Sequence, residues 1–130
     1  MSRNVLLDTH AVIWSLTEPR RVGPRLRRLF RDNAFTPLVS TVTLWEILAK
    51  TRAGKLQFAG EAETLLRKHL GDLRALILPL RAEHVYAAYR LPVHHRDPWD
   101  RLLIGQALAE DALLATKDDL IRRYEVSVIW

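Results

Sequence analysis

The chain has 130 residues, 48% of them apolar and 27% charged, with a net charge of +5, which describes one globular domain long enough to bury its own core. It has no cysteine, which excludes disulfides, thiolate zinc sites, iron–sulfur clusters and a cysteine nucleophile. No apolar run nears the ~20 residues of a membrane helix, and the apolar start is broken by Asp8 and His10, a poor signal peptide; a cytoplasmic protein without a membrane partner is expected.

Short β-rich runs alternate with longer helical ones. Residues 4–7 read as a buried strand ending at Asp8, and residues 9–16 as a short helix stopped by Pro19. Residues 23–33 form a basic helix with Leu26, Leu29 and Phe30 at helical spacing. Arg20, Arg21, Arg25, Arg27, Arg28 and Arg31 crowd this stretch, as a solvated face or a surface for nucleic-acid phosphate, Arg27 and Arg28 above all. After Pro37 come a strand at 38–40 and a helix at 41–51. A helix at 61–70 is expected to close at Gly71, followed by a strand at 75–78 and a helix at 82–90. The loop 91–99 leads to the strongest helix, 100–111, then a strand at 113–115, a helical turn at 119–123 and a strand at 126–129. Strands separated by helices need crossover connections. The fold class is therefore α/β, a three-layer α/β/α sandwich with a mainly parallel sheet of about five strands, spanning residues 1–130 as a single domain.

Such sheets bind ligands beyond the carboxyl ends of their strands, and acids fall there. Asp8 ends the first strand. Glu46 lies one turn into the helix after the second. Asp97 and Asp100 open the late helix, and Asp118 and Asp119 follow the strand at 113–115. Most have a plain structural reading: Thr43-x-x-Glu46 matches a capping box, Asp97-Pro98 a helix start, and Asp118 or Asp119 a cap. Asp8 fits no capping pattern, and a strand-end carboxylate among buried strands needs a partner. Gathered carboxylates repel one another, and the only lysine beside them is Lys117. A hard divalent ion, Mg2+ or Mn2+, resolves that repulsion and can activate water against a phosphodiester. A basic surface around an acidic pocket favours a nuclease.

The segments LLDTHAVIWSL, STVTLWEILAK, HHRDPWDRLLIGQA and LLATKDDLI, in this order, resemble the PIN-domain ribonucleases, and most closely the VapC-type toxins of toxin–antitoxin pairs. The resemblance implies a PIN-like fold and a Mg2+- or Mn2+-dependent endoribonuclease. It places the catalytic, metal-holding acids at Asp8, Glu46, Asp100 and Asp118, with Asp97 open between ligand and helix cap and Asp119 competing with Asp118. It puts Thr9 at a small hydroxyl position beside the first acid. Arg96 and Arg101 flank the acids, open between RNA phosphate and ion pairs. The implied partners are an RNA substrate, a small antitoxin and a second copy of the chain. His94 and His95 lack a third histidine at ligand spacing and read as a surface loop, and the four tryptophans as core or interface. Two other classes compete: a phosphoacceptor receiver-like domain, which lacks paired acids after its first strand here, and a non-catalytic nucleic-acid-binding module, which leaves Asp8, Glu46 and Asp100 unexplained.

Overall fold

The computed structural model describes residues 3–94 and 97–130; the expectations for His95 and Arg96 lie outside the described residues. In β1 (Arg3–Leu7) Val5, Leu6 and Leu7 are completely buried, as in a strand covered on both faces. It runs into α1 (Thr9–Thr17), a 3-10 turn at Pro19–Arg21 and α2 (Pro24–Asp32). Then follow β2 (Phe35–Ser40), α3 (Thr41–Arg52), α4 (Ala62–Asp72), β3 (Leu76–Leu78), α5 (Ala82–Arg90), α6 (Pro98–Ala109) and β4 (Leu113–Ala115). A 3-10 turn at Ile121–Arg123 leads to β5 (Val128–Ile129).

The five strands form one sheet in the order β3-β2-β1-β4-β5, every pair parallel. Side chains alternate across it. Val5, Leu7, Val39 and Ala115 face a core with Val12 of α1, Leu26 of α2, Ile47 of α3 and Leu66 and Leu70 of α4. Leu6, Leu38 and Leu114 face a second core with Leu103, Ile104 and Ala107 of α6. Each fully buried leucine contributes about 1.5–3 kcal/mol, so the two cores fix the sheet between its helical layers.

Several boundaries differ from the sequence reading, three of them for clear physical reasons. β2 begins before Pro37, because residues 35–37 pair with β1 alone and β3 joins only at Leu38; the missing proline N–H falls where the strand is still an edge. α4 passes through Gly71, and Arg74 makes the reversal instead at φ 55°. α6 starts at Pro98, because Asp97 is its cap: Oδ1 accepts the Trp99 N–H at 2.9 Å.

The helical layer of α5 and α6 is held by a close approach at Gly105. A Cβ there would stand 2.7 Å from the His84 carbonyl oxygen and 2.8 Å from the Ala88 nitrogen. Only glycine lets the two backbones meet at that distance.

Candidate active site

Asp8 is the first residue past β1 and caps α1: Oδ1 accepts the Ala11 N–H at 2.8 Å. The spacing Asp8-x-x-Ala11 is that of an N-cap and its third helical residue, so the capping pattern that the sequence reading did not find is present. The carboxylate is only 5% exposed. Burial pushes it above the ordinary carboxylate range; hydrogen bonds from the Thr116 hydroxyl and Ala11 N–H and the charge of His10 oppose this, while Asp118 adds to it. Thr116 ties two acids together, since its Oγ1 also accepts the Asp118 N–H at 3.0 Å.

Asp118 accepts the Leu120 N–H at 2.9 Å. Its neighbour Asp119 has a side chain 93% exposed, beside Arg122, so Asp118 is the acid of this pair at the site. Asp100 stands in the first turn of α6, three residues after the Asp97 cap. Asp8, Asp100 and Asp118 line one cleft of about 320 Å3 together with His10, Trp14 and Lys117. It lies at the carboxyl ends of β1 and β4. β1 hands the chain to β2 on one side and pairs with β4 on the other, the kind of switch point where open parallel sheets take ligands. Asp97 does not line the cleft.

Glu46 comes to the same end of the sheet without lining that cleft. Oε1 accepts from the Thr9 hydroxyl at 2.8 Å and Oε2 from Lys50 Nζ at 2.7 Å. The capping-box reading of Thr43 and Glu46 is corrected: α3 is capped by Ser40, whose Oγ accepts the Val42 N–H. Lys50, one turn after Glu46, is a second lysine among the acids; the i, i+4 spacing was the signal. Thr9 is 3% exposed, so it braces Glu46 and is closed to RNA.

Arg101 is corrected in the same way. Its Nη1 donates to Pro92 O at 3.0 Å and its Nη2 to Ala88 O and Leu91 O at 3.0 and 3.1 Å. A cation at the carboxyl end of α5 is favoured by the helix dipole, and these donors are not free for phosphate. Arg27 and Arg28 are exposed on α2 and do not line the cleft. His10 and Trp14 were the residues sequence reasoning missed; they sit one turn apart on α1, and only the packing of Lys117 against Trp14 reveals their connection to the acids.

Glu83, His84 and Glu110 have ligand atoms within 4.8 Å of one another, but hydrogen bonding argues against an ion there. His84 Nδ1 accepts the Arg81 N–H at 3.0 Å, which leaves the ring proton on Nε2, where it is donated to Glu110 at 3.3 Å. A nitrogen that carries a proton cannot ligate.

A family model described as "PIN domain" matches residues 5–126. The chain belongs to the PIN-domain family. No curated protein matches it. Among solved structures it is similar to a chain of VapBC2 from Rickettsia felis bound to a promoter DNA fragment (TM-score 0.73, 18% identity, 97% of each chain covered). A DNA-bound VapBC from Salmonella typhimurium has a TM-score of 0.73 and 17% identity over 99% of this chain and 98% of that one. FitAcB from Neisseria gonorrhoeae gives 0.62 and 22% over 97% and 96%. These identities speak for a shared fold. The family is one of nucleases, and the receiver-like reading falls with it: β3 is an edge strand followed by Pro79, with no acid to accept a phosphate.

Proposed function

We propose that the chain is a Mg2+- or Mn2+-dependent endoribonuclease and the toxin of a toxin–antitoxin pair. The observation that carries this reading is the cleft shared by Asp8, Asp100 and Asp118. Three carboxylates line it, one of them on the buried Asp8, and oxygen donors of this kind suit a hard divalent ion. Asp8, Asp100 and Asp118 would hold the ion, with Glu46 as the fourth acid behind Thr9. When bound, the ion supplies Lewis acidity and an activated water for phosphodiester hydrolysis. The chain supplies orientation: Ala11 and Thr116 fix Asp8, Thr116 and Leu120 fix Asp118, and Thr9 and Lys50 fix Glu46, so the acids need little rearrangement. The basic balance of the chain draws an RNA backbone toward this acidic point.

Removing the metal tests the reading. Incubation with EDTA is expected to abolish cleavage of RNA, and added Mn2+ or Mg2+ to restore it. Cleavage undiminished in EDTA overturns the metal-dependent mechanism.

The partners of the reading are a small antitoxin and a second copy. A basic antitoxin side chain would pair with the carboxylates in the cleft. For the second copy, α5 exposes Val85, Tyr86 and Tyr89, and the edge strand β3 exposes Leu76 and Ile77, apolar surface that a monomer rarely leaves open. Light scattering should find a homodimer, and the double substitution Tyr86→Asp, Tyr89→Asp should find a monomer with an unchanged circular dichroism spectrum. A wild-type monomer at micromolar concentration removes the dimer from the proposal.

A further inference from the structure

Half of the cleft is not acidic. His10 and Trp14 stand one turn apart on α1, their ring centroids 5.1 Å apart and tilted by 43°. Lys117 Nζ lies over the Trp14 ring, 5.7 Å from its centroid. All three line the cleft with Asp8, Asp100 and Asp118. The indole is itself held in place: the Arg21 guanidinium carbon is 4.1 Å from its centroid, and the Trp130 ring meets it edge-on at 5.8 Å. Arg21 is also paired with Glu18 at 3.1 Å, so it acts as a brace for the ring.

The position of Lys117 is unexpected on electrostatic grounds. It is adjacent to Asp118 in sequence and shares a cleft with three carboxylates, yet among the described residues it makes no ion pair. Its charge rests on the indole face, an attraction weaker than an ion pair. An ammonium seated on an aromatic ring, with its donors uncommitted, remains open to an anion from solution. His10 is exposed beside it, and among the described residues its ring nitrogens make no hydrogen bond. One wall of the cleft thus offers acids for a cation, and the other offers donors for an anion.

We infer that Lys117 and His10, seated on Trp14, form a phosphate subsite for the RNA backbone phosphate next to the scissile linkage. The inference rests on the ribonuclease reading above and adds the residues that register the strand against the acids. Phosphate contacts set position and carry no base information directly, so this subsite is expected to act equally on RNAs of different sequence.

The test is equilibrium binding of a short fluorescein-labelled single-stranded RNA to the full chain in EDTA, by anisotropy across a salt series. It is paired with steady-state cleavage in Mn2+. Lys117→Gln is compared with Lys68→Gln, which removes the same charge from the exposed face of α4. Losing one phosphate contact should reduce the log–log salt slope by about 0.7 and weaken low-salt binding roughly three- to tenfold. KM should rise by a similar factor with kcat within about twofold of wild type. Lys117→Arg should keep both slope and KM. If Lys117→Gln matches Lys68→Gln in slope and KM, the subsite is overturned. It is also overturned if kcat falls while binding holds. If wild type binds RNA but never cuts it, the nuclease reading is overturned and with it the placement beside a scissile linkage, while a salt slope reduced in Lys117→Gln alone still assigns a backbone phosphate contact to Lys117. A chain that neither binds nor cuts RNA overturns both.

Discussion

Replacing Asp8 by Asn should give a chain that cuts RNA more than about 100-fold more slowly, a larger loss than removal of an outer-shell partner usually causes, while melting higher than wild type in EDTA. Asn can still cap α1, since its side-chain oxygen accepts the Ala11 N–H as Asp8 Oδ1 does. What disappears is a buried negative charge. Burial raises the carboxyl of Asp8 above its unfolded value of 3.8. Between the unfolded and folded values the native chain therefore holds more protons than the unfolded chain, and stability falls as pH rises. The contribution of Asp8 is fully favourable below the unfolded value and is lost as pH passes the folded one. The melting advantage of Asp8→Asn should accordingly be small near pH 4 and widen toward neutral pH. Full cleavage by the Asn variant would remove Asp8 from the ligand set. A melting advantage that shrinks with rising pH would contradict the burial argument.

The largest expected loss of stability lies far from the acids, at Gly105→Val. A Cβ at this position meets two backbone atoms of α5 at 2.7 and 2.8 Å and the Ala88 Cβ at 3.0 Å. Backbone cannot swing aside like a side-chain tip, so α5 must lift from α6. That lift would strain the bond between fully buried His84 and Glu110 and the Arg101 contacts to the end of α5. Overpacking commonly costs about 1–3 kcal/mol. The upper end is expected here, a fall in Tm of roughly 10 °C for a chain of this size. Gly71→Ala is the matched control: it lies within α4, and its Cβ meets nothing, so Tm should hold or rise, by up to about 1 kcal/mol of added stability. Equal melting of Gly105→Val and wild type would show that the helices have room to spare.

The elements that could be read from the sequence were those whose residues settle their own conformation. The run at Val5–Leu7 is apolar on both faces, and Ala82–Arg90 and Leu113–Ala115 carry clear helical and strand patterns, so they lie where the patterns put them. Reading failed where a neighbour distant in sequence decides. Pro37 is tolerated because β3 joins late, and Gly71 continues a helix because Arg74 takes the left-handed turn. At the site, the spacing of Asp97 and Pro98 announces the cap of α6. Nothing within STVTLWE announces that Glu46 bonds Thr9, because that hydrogen bond joins two helices. The ambiguity between Asp118 and Asp119 was likewise one of side-chain direction, fixed by Thr116 and the turn that follows. The wall of His10, Trp14 and Lys117 is a tertiary object altogether.

The central place of β1 has a consequence for biosynthesis. β1 is made before its neighbours in the sheet: β2 follows it closely, but β4 emerges only after all six α-helices, α1 to α6, are made. Until then one edge of β1 has no neighbour, and Asp8 stands without Thr116 or Asp118. A nascent chain that ends before β4 lacks Thr116 and Asp118, so the cleft cannot close around three carboxylates. Domains tend to fold as units during synthesis, and here the cleft that joins Asp8 to Asp118 waits for β4.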